Sequence, residues 1–113
     1  MRRRDVKRVQ LSMPQLETDT ARRLDWAPKA LRAYIDSLAR IASDDPITAE
    51  LVRKRVERAL DLIREYPGIG TPAARRGERR FPISKTGHVI VYRFSRTAVR
   101  IHIWYRARQN VRR

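Results

Sequence analysis

The sequence predicts an α+β domain in which a helical hairpin packs on one face of a small antiparallel β-sheet, with elements in the order β-α-α-β-β-β. Three observations predict it. Between residues 27 and 63 the apolar residues recur three and four apart, the period of a helix. Between residues 79 and 106 they alternate in twos with arginines, the period of a strand. Proline, glycine and short polar clusters fall between these stretches and cut them into elements of ordinary length.

Residues 1–22 hold no sustained period and read as a poorly ordered extension, in which Val6, Val9, Leu11, Met13 and Leu16 offer at most a brief edge strand or a basic arm. The domain proper is expected over residues 23–110. A short strand is predicted at Arg22–Trp26, with Leu24 and Trp26 on one face. Pro28 follows at a first-turn position, where its missing N–H costs nothing, and opens an amphipathic helix to Ala42. That helix turns Lys29, Arg32, Asp36 and Arg40 outward. Asp45 and Pro46 restart the chain as a second helix with an acidic cap, whose stripe is Ala49, Val52, Val56, Ala59, Leu60 and Ile63. So short a link folds the two helices back along each other. Pro67, Gly68 and Gly70 end the hairpin, and Thr71–Gly77 is a loop.

The rest reads as three strands separated by turns at Lys85–Gly87 and Ser95–Thr97. Phe81, Ile83, Ile90, Tyr92, Phe94, Val99, Ile101, Ile103 and Tyr105 share the parity that faces the hairpin. Arg80, Arg93, Arg100, His102, Trp104 and Arg106 share the other, so the sheet is expected to have a wet, cationic reverse side.

Charge sharpens that expectation. The net +15 divides into +4 for residues 1–23, zero for 24–66 and +11 for 67–113, where Glu78 is the one acid. Ordinary solvated surfaces mix signs, as the helices do; a field of one sign attracts nucleic acid or an acidic protein segment. With no cysteine, a disulfide scaffold, a cysteine nucleophile and thiolate metal sites are excluded. No apolar run is long enough to span a membrane, and the charged start leads into no signal-peptide core, so a cytoplasmic protein without cofactor or metal is expected.

Several segments in this order and spacing resemble the RelE/ParE superfamily of toxins from type II toxin-antitoxin systems. They are Trp26-Ala27-Pro28, Tyr66-Pro67-Gly68-Ile69-Gly70, Arg80-Phe81-Pro82-Ile83, His88-Val89-Ile90-Val91-Tyr92-Arg93 and Ile103-Trp104-Tyr105-Arg106-Ala107-Arg108. The resemblance implies a compact toxin held inactive in a hetero-oligomer by a cognate antitoxin, whose acidic, extended or helical segment wraps around it. It also implies one of two mechanisms. RelE-like members cleave messenger RNA in the ribosome; ParE-like members poison DNA gyrase and are not enzymes.

RNA cleavage needs proton transfer to and from oxygen and cations for the developing phosphorane charge. On the RelE-like pattern Arg80 supplies one basic group, but Pro82 stands at the next such position and Val89 where a third-strand Arg belongs. Arg108 fits the position after the last strand, and residues 109–113 bring no Tyr. The expectation is therefore a ParE-like gyrase inhibitor that meets its antitoxin or target through Arg80, Arg93, Arg100, His102, Trp104, Arg106 and Arg108. The alternative is a ribosome-dependent endoribonuclease using Arg80, Arg93, His102 and Arg108. A second alternative, from the +11 segment alone, is a basic nucleic-acid-binding module. His102 reads either as a solvated or stacked ring beside Trp104 or as a general base. Trp104 reads as an exposed binding anchor or as packing for a loop or the extension.

Overall fold

The computed structural model describes residues 21–107. Most of the expected N-terminal extension, and Arg108, lie outside them. The elements are β1 (Arg23–Trp26), α1 (Pro28–Asp44), α2 (Pro46–Glu65), a 3-10 turn (Pro67–Ile69), β2 (Thr71–Pro72), β3 (Arg79–Pro82), β4 (His88–Phe94) and β5 (Ala98–Arg106). Among the described residues they make one five-stranded sheet in the order β1-β5-β4-β3-β2, covered on one face by the α1–α2 hairpin. Only β1 runs parallel to its neighbour, β5; the other pairs are antiparallel. Thr71 and Pro72, expected in a loop, form a two-residue edge strand on Arg80 and Arg79.

Each element has a local cause. Pro28 opens α1 without a side-chain cap. Asp45 caps α2 by accepting from the Ile47 amide at 3.0 Å and the Thr48 hydroxyl at 2.7 Å, and the Thr48 bond holds its carboxyl below the usual carboxylate range. The predicted α2 stripe is the one that packs: Val52, Val56, Ala59, Leu60 and Ile63 are buried against Ile83, Ile90, Tyr92, Val99 and Ile101. α1 contributes Ala30, Tyr34, Leu38 and Ile41, while Leu31 and Ile35 of its expected stripe are exposed.

Tyr92 ties the sheet to the end of the hairpin. Its hydroxyl donates to the Pro67 carbonyl at 2.6 Å and accepts from the Gly70 amide at 3.0 Å. Gly70 is needed there for room rather than for backbone freedom. A Cβ would lie 2.6 Å from that hydroxyl and 2.8 Å from the Arg80 carbonyl.

The strand alternation breaks once. β4 and β5 pair Tyr92 with Ile101 but Val91 with Ile103, which leaves His102 as an extra residue in β5, a β-bulge. Because the side-chain period is two, everything beyond the bulge exchanges faces. Trp104, expected on the open face, stands opposite Ile90 on the helix side and is 6 % exposed. Its ring packs 4.8 Å from Tyr34, and its Nε1–H donates to the Ser37 hydroxyl at 2.9 Å. Arg106, also expected on the open face, follows it to the helix side, opposite His88. Ile103 and Tyr105, expected in the core, lie on the open side opposite Val91 and Val89 and are 41 % and 38 % exposed.

Candidate functional site

The face of the sheet turned away from the helices is built from three antiparallel strands and the edge of β1. β3 contributes Arg80 and Pro82; β4 contributes Val89, Val91 and Arg93; β5 contributes Arg100, Ile103 and Tyr105; β1 adds Arg23 and Asp25. The centre is apolar. Val89 and Val91 are 7 % and 6 % exposed, with Pro82 and Arg80 opposite them on one neighbouring strand and Tyr105 and Ile103 on the other. The cations are displaced to the rim.

Two of them are held by the protein itself. Arg93 Nη1 donates to the Arg76 carbonyl at 2.8 Å, and Gly77, at φ +83, gives the loop a turn that passes close over that guanidinium. His102 Nε2–H donates to Glu78 Oε2 at 2.6 Å, a contact that crosses β4 from the bulge to the start of β3. Glu78 is buried and accepts a second bond, from the Arg75 amide at 3.1 Å. Its carboxyl is held below the usual carboxylate range chiefly by the His102 bond, against the effect of burial, with the Arg75 amide and the charges of His102 and Arg93 adding to the shift. The loop between β2 and β3 is thus pinned at two points.

The remaining cations face outward. Arg80 is exposed, and no ion pair involves it among the described residues. Arg100 lies 3.6 Å from Asp25, both half exposed, and directly across the ladder from Arg93. Like charges opposite each other in a sheet cost stability.

Four of the seven residues expected to bind a partner therefore come together on one face: Arg80, Arg93, Arg100 and His102. Trp104 and Arg106 belong to the other face, and Arg108 lies outside the described residues. His102 is neither solvated nor stacked on Trp104, since its ring is bound to Glu78; the histidine stacked on Trp104, at 4.7 Å, is His88. Sequence reasoning missed Ile103 and Tyr105 as surface residues and Glu78 as the partner of His102. Glu78 had a signal, as the one acid in the +11 segment.

Chemically, an apolar strip between arginines suits recognition of a surface that is acidic around an apolar centre. Among the described residues no three His, Asp or Glu side chains gather as metal ligands, and no helix is long and apolar enough to cross a membrane.

Comparison with known proteins bears on what that surface serves. Residues 24–110 match the family model of the ParE toxin of the type II toxin-antitoxin system parDE. Y4kP of Sinorhizobium fredii, a candidate toxin, is 35 % identical over 75 residues, which cover 66 % of this chain and 78 % of Y4kP. Among solved structures, a chain of the chromosomal ParDE system from P. aeruginosa superposes with a TM-score of 0.68 at 15 % identity, over 79 % of this chain and 99 % of that one. The isolated E. coli RelE toxin superposes at 0.62 and 17 % identity, over 80 % and 89 %. At such identities the two structures attest the fold alone.

Proposed function

Because the chain belongs to the ParE toxin family of type II toxin-antitoxin systems, we propose that it inhibits DNA gyrase by binding rather than by chemistry, and that a small antitoxin with an acidic tail neutralises it in a cytoplasmic hetero-oligomer. The observation that carries this reading is the apolar centre of the open face. Val89, Val91 and Pro82 occupy the middle, where cleavage of a phosphodiester would call for cations around the developing charge. The rim arginines then serve contact with the target, with Arg80 and Arg100 the outward-facing pair. Purified protein added to gyrase and relaxed plasmid is expected to block supercoiling or to trap cleaved DNA. Unchanged supercoiling at a large excess of the protein sinks the reading.

One arrangement favours the ribonuclease alternative. A buried carboxylate orients the imidazole of His102, as a general base requires, and the bulge turns Tyr105 onto the same face as Arg80. Under that reading, expression of the protein produces codon-linked cuts in translated messages, and His102→Ala removes them. Transcript ends unaltered by expression of the native chain exclude it.

A further inference from the structure

A second surface, away from the open face, carries its own charge and shape. It is a groove between α2 and the β3–β4 turn, lined by Arg55, Arg58 and Leu62 from α2 and by Phe81, Pro82 and Lys85 from the sheet side. The helix residues recur at three and four, so they form a stripe beside the one buried in the core. The floor is apolar: Leu62 is 42 % exposed, Phe81 half-buried and Pro82 exposed.

The three cations on its rim differ from those elsewhere on the same helix. Arg53 is bracketed by Glu50 and Glu57 on its own helix, and its guanidinium is engaged by both. Arg55, Arg58 and Lys85 make no ion pair among the described residues. Lys85 is also the one non-glycine residue among them with positive φ, +61, a conformation that costs a side-chain-bearing residue some energy. The turn around it is fixed by Thr86, whose hydroxyl donates to the Ile83 carbonyl at 3.0 Å and accepts from the His88 amide at 3.1 Å. A strained backbone thus holds a lysine at the lip of an apolar groove.

The sheet edge beneath is open but unfit for strand addition. β2 pairs only with Arg79 and Arg80, so among the described residues nothing flanks Phe81 and Pro82 on that side, and Pro82 has no N–H to offer. An occupant must bind through its side chains.

We propose that this groove docks an acidic amphipathic segment of a partner protein, with apolar side chains on Leu62, Phe81 and Pro82 and carboxylates on Arg55, Arg58 and Lys85. Charge complementarity selects this occupant: three unpaired cations around an apolar floor repel a second copy of a chain of net charge +15, and a nucleic-acid backbone leaves the floor unused. The proposal rests on the reading above that a partner protein neutralises the toxin. It adds that the neutraliser is anchored away from the face assigned to the target.

The test uses the full chain and three short labelled peptides: one alternating leucine with glutamate on a helical period, one with glutamine in place of glutamate, and one with serine in place of leucine. In fluorescence anisotropy the acidic amphipathic peptide is expected to bind at least about tenfold more tightly than either control, and R55E/R58E to abolish that preference. R55Q/R58Q serves should the charge reversal fail to fold. Equal binding of all three peptides, no binding of the acidic one, or a preference that survives in the variant overturns the proposal. R55E/R58E is also expected to inhibit gyrase as the native chain does. A native chain that leaves gyrase untouched but binds the acidic peptide refutes the gyrase reading and leaves the groove standing.

Discussion

The two faces of the sheet hold side chains from the same strands and use them differently. On the helix side Ile90, Tyr92, Val99 and Ile101 are shut away, and even the polar atoms are matched, as with the Trp104 indole on Ser37. On the other side Arg93 faces Arg100 across the ladder, an arrangement packing would not select. The difference teaches where stability and recognition are separated, and His102 is the seam. By adding one residue to β5 it sends Trp104 into the core and brings Ile103 and Tyr105 out beside the arginines.

Substitutions on either side of that seam sharpen the contrast. Trp104→Ala is expected to cost about 3–5 kcal/mol in denaturant unfolding, since it removes a buried indole. Its neighbour Tyr105→Ala is expected to cost less than about 1 kcal/mol. Similar costs for the two would place the bulge elsewhere.

Next in size is the junction under Tyr92. Gly70→Ala must move either the Tyr92 hydroxyl or the Arg80 carbonyl and is expected to cost about 1–3 kcal/mol or more. Gly68→Ala meets no atom within 4 Å and is expected to change stability by under about 0.5 kcal/mol. Tyr92→Phe leaves the Gly70 amide and the Pro67 carbonyl without their partner, at about 1–3 kcal/mol. Thermal melts of the three variants side by side measure this.

Acid should loosen both faces, in separate windows. Burial, with the charge of Arg106, pushes the His88 ring below the usual imidazole range, so the fold favours its neutral form. The unfolded chain then binds the extra proton first. This contribution is full above about pH 6.5 and is lost as pH falls toward the lower folded value. The Glu78 carboxyl is also depressed, so its contribution is full above about pH 4.3 and is lost as pH falls through its folded value. His88→Leu is expected to flatten the first decline and leave the second. A native chain whose stability does not change between about pH 7 and 5 contradicts the assignment for His88.

The smallest effect is expected on the open rim. Arg100→Ala loses a partly exposed contact to Asp25 and relieves the repulsion from Arg93, so its stability should stay within about 0.5 kcal/mol of the native chain.

Much of this architecture was legible in the sequence because its signals are periodic and local. The α2 stripe, Pro28, the Asp45 cap and the turns after Ile83 and Phe94 are where the spacing predicts them. The bulge was not legible. Ile101, Ile103 and Tyr105 form as good an apolar series as Ile101 and Trp104 do, so a period of two cannot reveal that His102 is supernumerary. The face assignments of Trp104, Tyr105 and Arg106 failed with it. Arg80, Arg93 and Arg100, which precede the bulge or lie on other strands, kept theirs. The parallel pairing of β1 with β5 and the reach of His102 to Glu78 join residues far apart in the chain, which no window of sequence contains.

The claim that the open face acts and the covered face supports is tested most directly by Arg80→Glu with Arg100→Glu in a gyrase supercoiling assay, read beside the melting temperature. The account predicts a protein that melts within about 3 °C of the native chain and inhibits at least about tenfold more weakly. A charge-reversed protein that is folded and inhibits gyrase as well as the native chain contradicts it.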